Sequence, residues 1–204
     1  ATQMGIDLLY AVAGVLVLNL SRVVVDRLVL TRFSTAKEIL QDRNAGTGAV
    51  EAGVLIASAL VIAGAIHGYG SWLTAVVFYV LGQVALVLFA LFYQWITRYD
   101  IHKEIEADNV AAGVAFGMNL VALGVIMLKA TVASFESWTY NLSLFAVYAA
   151  AGFVVLMILR WLMDLVILPG TTIREEIARD RSLNAAWIEG VVAVSGAGLI
   201  FFLM

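Results

Sequence analysis

The chain has 204 residues, of which 63% are hydrophobic and only 13% charged, and its mean hydropathy is +0.97. A soluble globule carries roughly a quarter charged residues, so composition already excludes an ordinary soluble domain. The absence of cysteine excludes disulfides and thiolate chemistry, and the net charge of −3 says less than where the charges sit.

Six apolar segments follow one another, each long enough to supply the roughly 20 residues a helix needs to cross the hydrocarbon core. The first, Ile6–Leu30, has no basic stretch before it and no small-residue cleavage site after Leu20, where Arg22 follows. It reads as a retained helix and not as a signal peptide. Next come Ala45–Ile66, Trp72–Ile96, Val110–Leu128, Trp138–Leu168, which runs up to the only proline, Pro169, and finally Leu183–Met204. The linkers alternate in character: Thr31–Asn44, Thr97–Asn109 and Pro169–Ser182 are charged, whereas His67–Ser71 and Lys129–Ser137 are nearly neutral. Eleven of the twelve Lys and Arg residues fall on the side of the charged linkers, and only Lys129 falls on the other. The positive-inside rule then places the charged linkers in the cytoplasm and both termini outside. Trp72 and Trp138 open their spans at the outer interface, and Trp95 and Trp161 lie toward the inner one, as in an aromatic belt.

Self-comparison exposes an internal repeat. The first charged linker contains Glu38-Ile39-x-x-Asp42-Arg43-Asn44, the second Glu104-Ile105-x-x-Asp108-Asn109, and the third Glu176-Ile177-x-x-Asp180-Arg181-Ser182. The fold class expected is an all-α membrane protein, six transmembrane helices arranged as three helical hairpins of parallel topology. The hairpins occupy residues 1–68, 69–131 and 132–204 of a single membrane domain. All three enter from one side, so an axis along the membrane normal relates them, which disfavours an inverted-repeat transporter. Ten of the 17 glycines lie in the even spans and Gly68 just beyond the second, which makes eleven and includes Gly64-x-x-x-Gly68 and Gly113-x-x-x-Gly117. Small residues at that spacing let backbones approach, so the even helices are expected inside and the odd ones against lipid.

Ionisable residues within spans are costly and are candidates for function. The first and third hairpins carry Arg22 with Asp26 and Arg160 with Asp164, four residues apart, and a Glu nine residues after the linker Asp: Glu51 and Glu189. The second departs, with Gln94 and Arg98 before its linker and Gly117 at the Glu position. At about 1.5 Å per residue, each Arg and its Glu lie at similar depth, some 10–13 Å from the cytoplasmic end. Two intramembrane clusters are therefore expected, Arg22–Asp26–Glu51 and Arg160–Asp164–Glu189. The Arg can bridge both acids and tie the hairpin. The surplus carboxylate can instead stay protonated and handle protons or cations, or the Arg can snorkel toward headgroups.

The linker residues Glu38, Asp42, Asn44, Glu104, Asp108, Asn109, Glu176 and Asp180 have a plain reading as punctuation and a functional one as a cytoplasmic docking face. Thr35-x-x-Glu38 and Thr172-x-x-Glu175 are capping-box patterns. Asp42 or Asn44, Asp108 or Asn109, and Asp180 or Ser182 can cap the helix that follows. Ile39, Ile105 and Ile177 are placed to dip into the interface. Asn19, Gln83 and Asn119 are expected to make interhelical hydrogen bonds, and Asp7, Lys129 and Glu136 to be solvated outer charges. His67 and His102 lie on opposite sides, which excludes a shared metal or catalytic site, and each is expected as an interfacial side chain. No phosphate loop, haem pairing or nucleophile–base constellation is present, so no enzyme activity, cofactor, metal or nucleic-acid partner is expected.

The run Glu104-Ile105-x-x-Asp108-Asn109-x-Ala111-Ala112-Gly113 and its degenerate copy at 38–46 resemble the repeat of the YjfL-like family of bacterial inner-membrane proteins, a domain of unknown function numbered 350. The resemblance covers nearly the whole chain, and the third copy departs from it, with Ser182 where Asn44 stands and Asn184 two positions later. The family has no established activity. Its members are often encoded near phage-shock-protein-A-like remodelling proteins and ATP-grasp ligases, so the resemblance implies a partner in membrane stress or remodelling. The function expected is a non-enzymatic inner-membrane scaffold or partner subunit in contact with membrane lipid. The alternative is a proton or ion channel or transporter using the charged clusters, with an intramembrane enzyme last. The small-residue faces also suit a homo-oligomer. The chain begins at Ala1 and ends within a span, which leaves its completeness open.

Overall fold

In a lipid-like setting a backbone must satisfy its own polar groups, and long apolar runs without internal proline do so as helices. The computed structural model describes residues 2–30, 35–67, 70–97, 99–167 and 170–203, with side-chain environments from residue 12 onward and at Leu8. Expectations resting on Arg32, Gly68, Arg98, Leu168, Pro169 and Met204, or on the side chain of Asp7, lie outside the described residues. Six long helices are present: α1 (Thr2–Leu28), α3 (Ala45–His67), α4 (Trp72–Ile96), α6 (Val110–Thr131), α7 (Trp138–Leu162) and α8 (Leu183–Leu203). Two short helices lie in the linkers, α2 (Thr35–Leu40) and α5 (Ile101–Glu106). Past α7 the coil widens to a π-helical turn at Met163–Ile167, and the third linker contains another at Glu175–Arg179. Five of the segments are long and apolar enough to cross a membrane: α3, α4, α6, α8, and α7 continued to Val166.

The centre of the molecule is α6, which runs between α3 and α8, with α4 and α7 packed on the outside. Within its most apolar stretch 78% of residues are buried, against 22% for α7. The expected division into interior even and exterior odd helices needs correction. The corresponding values are 50% for α3 and 39% for α8, and α4 matches α8 at 39%. The reason is geometric: α6 has small-residue contacts on two sides, whereas α3 and α8 are the ends of a row and each keeps a free face. On α4 that free face is a continuous stripe, Val76, Val80, Val84 and Leu88, at four-residue spacing. The exposed Trp72 and Trp138 begin α4 and α7 at the neutral-linker end, and the exposed Trp95 and Trp161 lie at the charged-linker end.

The contact between α3 and α6 requires glycine. A Cβ on Gly113 would run into the backbone of Gly46, and one on Gly117 would meet the carbonyl oxygen of Ala49. Gly53 faces Gly117 in turn. Gly48, on the same helix α3, has nothing within 4 Å of its would-be Cβ. Gly113→Val should therefore lower stability by about 1–3 kcal/mol through overpacking. Gly48→Val should change the detergent melting midpoint little, and equal losses in the two variants would contradict this packing.

Candidate functional site

The three charged linkers share one backbone device. Arg43, Asp108 and Arg181 adopt left-handed conformations with φ of 54°, 55° and 51°. Each immediately precedes the residue that caps the next long helix, so the chain leaves its short linker helix by an αL turn. Asn44 Oδ1 accepts from the Thr47 N–H at 2.8 Å, Asn109 Oδ1 from Ala112 at 3.3 Å, and Ser182 Oγ from Ala185 at 3.4 Å. Of the alternatives the sequence left open, these three residues are the caps. Asp42 instead pairs with Lys37 at 3.5 Å, and Asp180 with Arg179 at 2.8 Å. That guanidinium holds the Asp180 carboxyl below its ordinary range. Asp108 reaches across to accept from the Ala45 N–H at 3.1 Å.

The asparagines do more than cap. Asn44 Nδ2 donates to Glu38 Oε2 at 3.0 Å and to the carbonyl of Ile105, in the second linker, at 2.7 Å. Asn109 Nδ2 donates to Glu104 Oε2 at 2.8 Å and to the carbonyl of Ile177, in the third linker, at 2.8 Å. Each amide thus uses its oxygen on the helix that follows, one N–H on the glutamate of its own linker and the other on the next linker. Ile105 and Ile177 are fully buried beneath these bonds, which corrects the expectation that they dip into the interface. Ile39 has no preceding linker to cover it and is only half-buried. Glu176 contributes its backbone: its carbonyl accepts from the Ser182 N–H at 2.7 Å. Thr172 and Glu175 form the reciprocal capping box, with bonds of 3.1 and 3.2 Å. Among the described residues Glu38 makes no such box with Thr35, and its Oε2 accepts from Asn44 instead.

Within the spans, two arginine–glutamate pairs join helices of the first and third hairpins. Arg22 Nε lies 3.1 Å from both carboxylate oxygens of Glu51, and 3.9 Å from Asp26. Arg160 Nη1 donates to Glu189 Oε1 and, at 2.7 Å, to the Tyr93 hydroxyl. Tyr93 in turn donates to Glu189 at 2.9 Å, and Asn119 Nδ2 adds a bond at 3.3 Å. The two pairs differ in depth of cover: the Arg22 side chain is 37% exposed and that of Arg160 only 12%. Asp164 is not part of the second cluster. Its Oδ1 accepts from the Ile173 N–H at 2.7 Å, because the π-helical turn spoils the four-residue register with Arg160 and turns Asp164 toward the third linker.

Other polar residues also differ from expectation. Counted from the capping residues, the position of Glu51 and Glu189 in the second hairpin is Phe116, not Gly117, because the second linker is one residue shorter. Phe116 stacks on Tyr93 at 5.5 Å, beside the Arg160–Glu189 pair. Of the three interhelical amides expected, only Asn119 bridges helices. Asn19 is exposed and folds back on its own Val15 carbonyl at 2.9 Å, and Gln83 is buried with no hydrogen bond from its side chain. His102 is buried, bonded to Gln94 and to the Val29 carbonyl, so it joins the second linker to the end of α1 and is not an interfacial side chain. Lys129 lies 5.6 Å from the centre of the Phe201 ring, and Glu136 is exposed. Among the described residues no group of three or more His, Asp or Glu is placed to hold a metal ion.

Helical bundle, apolar helices of spanning length and tryptophans at both ends define a multi-pass membrane protein. The chain belongs to a particular family of them: a family model described as Domain of Unknown Function (DUF350) matches residues 2–66 and 68–204. No curated protein and no solved structure matches the chain.

Removing one partner of a buried ion pair strands the other's charge. Arg160→Met should cost roughly 3–5 kcal/mol in a detergent unfolding experiment, and Arg22→Met clearly less, because its pair is more open. Arg160→Met/Glu189→Leu should recover most of the loss. A double variant as unstable as the single one would contradict the pairing.

Proposed function

We propose that the chain is a non-enzymatic scaffold or partner subunit of the bacterial inner membrane. It would have six spans in three parallel hairpin repeats, with its charged linkers in the cytoplasm and both termini outside. The observation that carries this reading is the linker relay: Asn44 to Ile105 and Asn109 to Ile177. Two side-chain amides fasten three linkers into one rigid surface, which is the requirement of a docking face and not of a catalytic pocket. The repeated αL turn and cap, and the Arg–Glu pairs at the same separation in the first and third hairpins, support the repeat. The 27-residue α1 supports the sixth span. Leu40, 79% exposed on α2, offers an apolar contact on the linker side for a cytoplasmic partner of the membrane-stress or remodelling kind, such as a phage-shock-protein-A-like protein, or for a second copy of the chain.

The alternative of ion or proton transport calls for water at the charged pairs. Among the described residues, the space bordered by Glu189, Asn119, Leu156 and Met163 has no volume for a water molecule, so the carboxylate side of that pair is dry even though Arg160 also borders the open cavity at the charged-linker end, which supports a structural role for Glu189. A photocrosslinking residue in place of Leu40 should give a discrete protein adduct in native membranes, whereas one in place of Val80 should give only lipid adducts. Reconstituted wild type and Glu51→Gln/Glu189→Gln should both lack proton and cation flux. Flux in the wild type that the variant lost would replace this reading with transport.

A further inference from the structure

At the charged-linker end of the bundle a cavity of about 1090 Å³ opens between the ends of α4 and α7 and the second and third linkers. Its lining has two characters. Met157 and Trp161 of α7 give an apolar wall, with Trp161 62% exposed at the rim, where an aromatic belt marks the membrane boundary. Among the described residues the rest of the lining carries three arginines and three carboxylates, Arg160 and Asp164 on the same helical segment as Met157 and Trp161 and the others on the second and third linkers. One of each, Arg179 and Glu175, face one another at 3.8 Å. The remaining four are only partly engaged. Among the described residues the hydrogen bonds of Arg160 run from Nη1, its guanidinium also lies near Tyr99, and Arg174 makes no hydrogen bond or ion pair. Glu104 uses Oε2 on Asn109 and Asp164 uses Oδ1 on Ile173, so among the described residues each keeps one carboxylate oxygen unbonded.

We propose that this cavity binds a phospholipid whose headgroup carries both a phosphate and a primary amine. The phosphate lies against Arg174 and the outer edge of Arg160, the ammonium between Glu104 and Asp164, and the acyl chains descend over Met157 and Trp161. The charge balance among the described lining residues points to the headgroup. A purely anionic group would meet two carboxylates along with the two arginines, whereas a zwitterion presents a partner to each. A primary ammonium offers three N–H donors to the free carboxylate oxygens, and a quaternary one offers none. Free phosphate or a soluble phosphoamine shares the polar chemistry and lacks the apolar half. The inference rests on the helices crossing a membrane and not on the scaffold role, so flux and crosslinking leave it untouched.

Native mass spectrometry of the full chain in detergent, titrated with phosphatidylethanolamine, phosphatidylcholine and phosphatidylglycerol of identical acyl chains, tests it. The first phosphatidylethanolamine should bind roughly tenfold more tightly than either other lipid. Glu104→Gln and Asp164→Asn keep the acceptors for Asn109 and Ile173 and should, singly or together, erase that preference. Arg174→Gln should weaken all three lipids. Soluble glycerophosphoethanolamine should compete poorly. Equal retention of the three lipids, a preference that survives in the folded carboxylate variants, or competition by the soluble headgroup at lipid-like concentration would each overturn the proposal.

Discussion

An asparagine amide has one acceptor and two donors, and the arrangement of this protein's linkers depends on where Asn44 and Asn109 spend them. The oxygen ends the next helix's run of unpaired N–H groups, one donor holds a glutamate of the same linker, and the other donor satisfies a carbonyl of the following linker. Each such bond contributes only about 1 kcal/mol net. Both asparagines are nevertheless almost fully buried, so an unsatisfied amide or carbonyl at these places would cost more than the bond itself contributes. That asymmetry makes the relay a constraint: Ile105 and Ile177 are buried where they are because the preceding asparagine closes over them.

The relay has a direction, and the membrane part follows it. The first linker leans on the second and the second on the third, while α3, α6 and α8 stand in the same order, with glycine contacts between α3 and α6. The middle hairpin has no intramembrane arginine–glutamate pair of its own among the described residues, and its α6 is held between α3 and α8. At the position of Glu51 and Glu189 it has Phe116, fully buried against Tyr93. The end hairpins lack cover on one side, and each fastens its first long helix to its second with an arginine and a glutamate. The third linker, last in line, has Ser182, which caps and reaches no further.

Much of this was legible in the chain. Apolar runs and charged linkers located the long helices to within a few residues, and the repeated linker motif marked the capping residues among its alternatives. The Arg and Glu of each end hairpin were recognisable because equal distance from a shared linker fixes equal depth. Asp164 was not legible, since its place depends on a widened turn ahead of Pro169 that no local pattern announces. The roles of His102 and Gln83 depend on which neighbours pack over them, and depth in the bundle depends on position in the row. Glycine content indicates close approach but not how many sides a helix covers, which is why α8 resembles α4 in exposure.

Hydrogen exchange followed by mass spectrometry on Asn109→Ser is the direct test of the relay. Serine keeps the cap, as at Ser182, and removes the donor to Ile177. Faster exchange should appear in residues 173–186 of the third linker as well as 101–113 of the second, while 35–48 keep wild-type protection. A change confined to the start of α6 would show that the linkers fold independently and that the surface they form is not a unit.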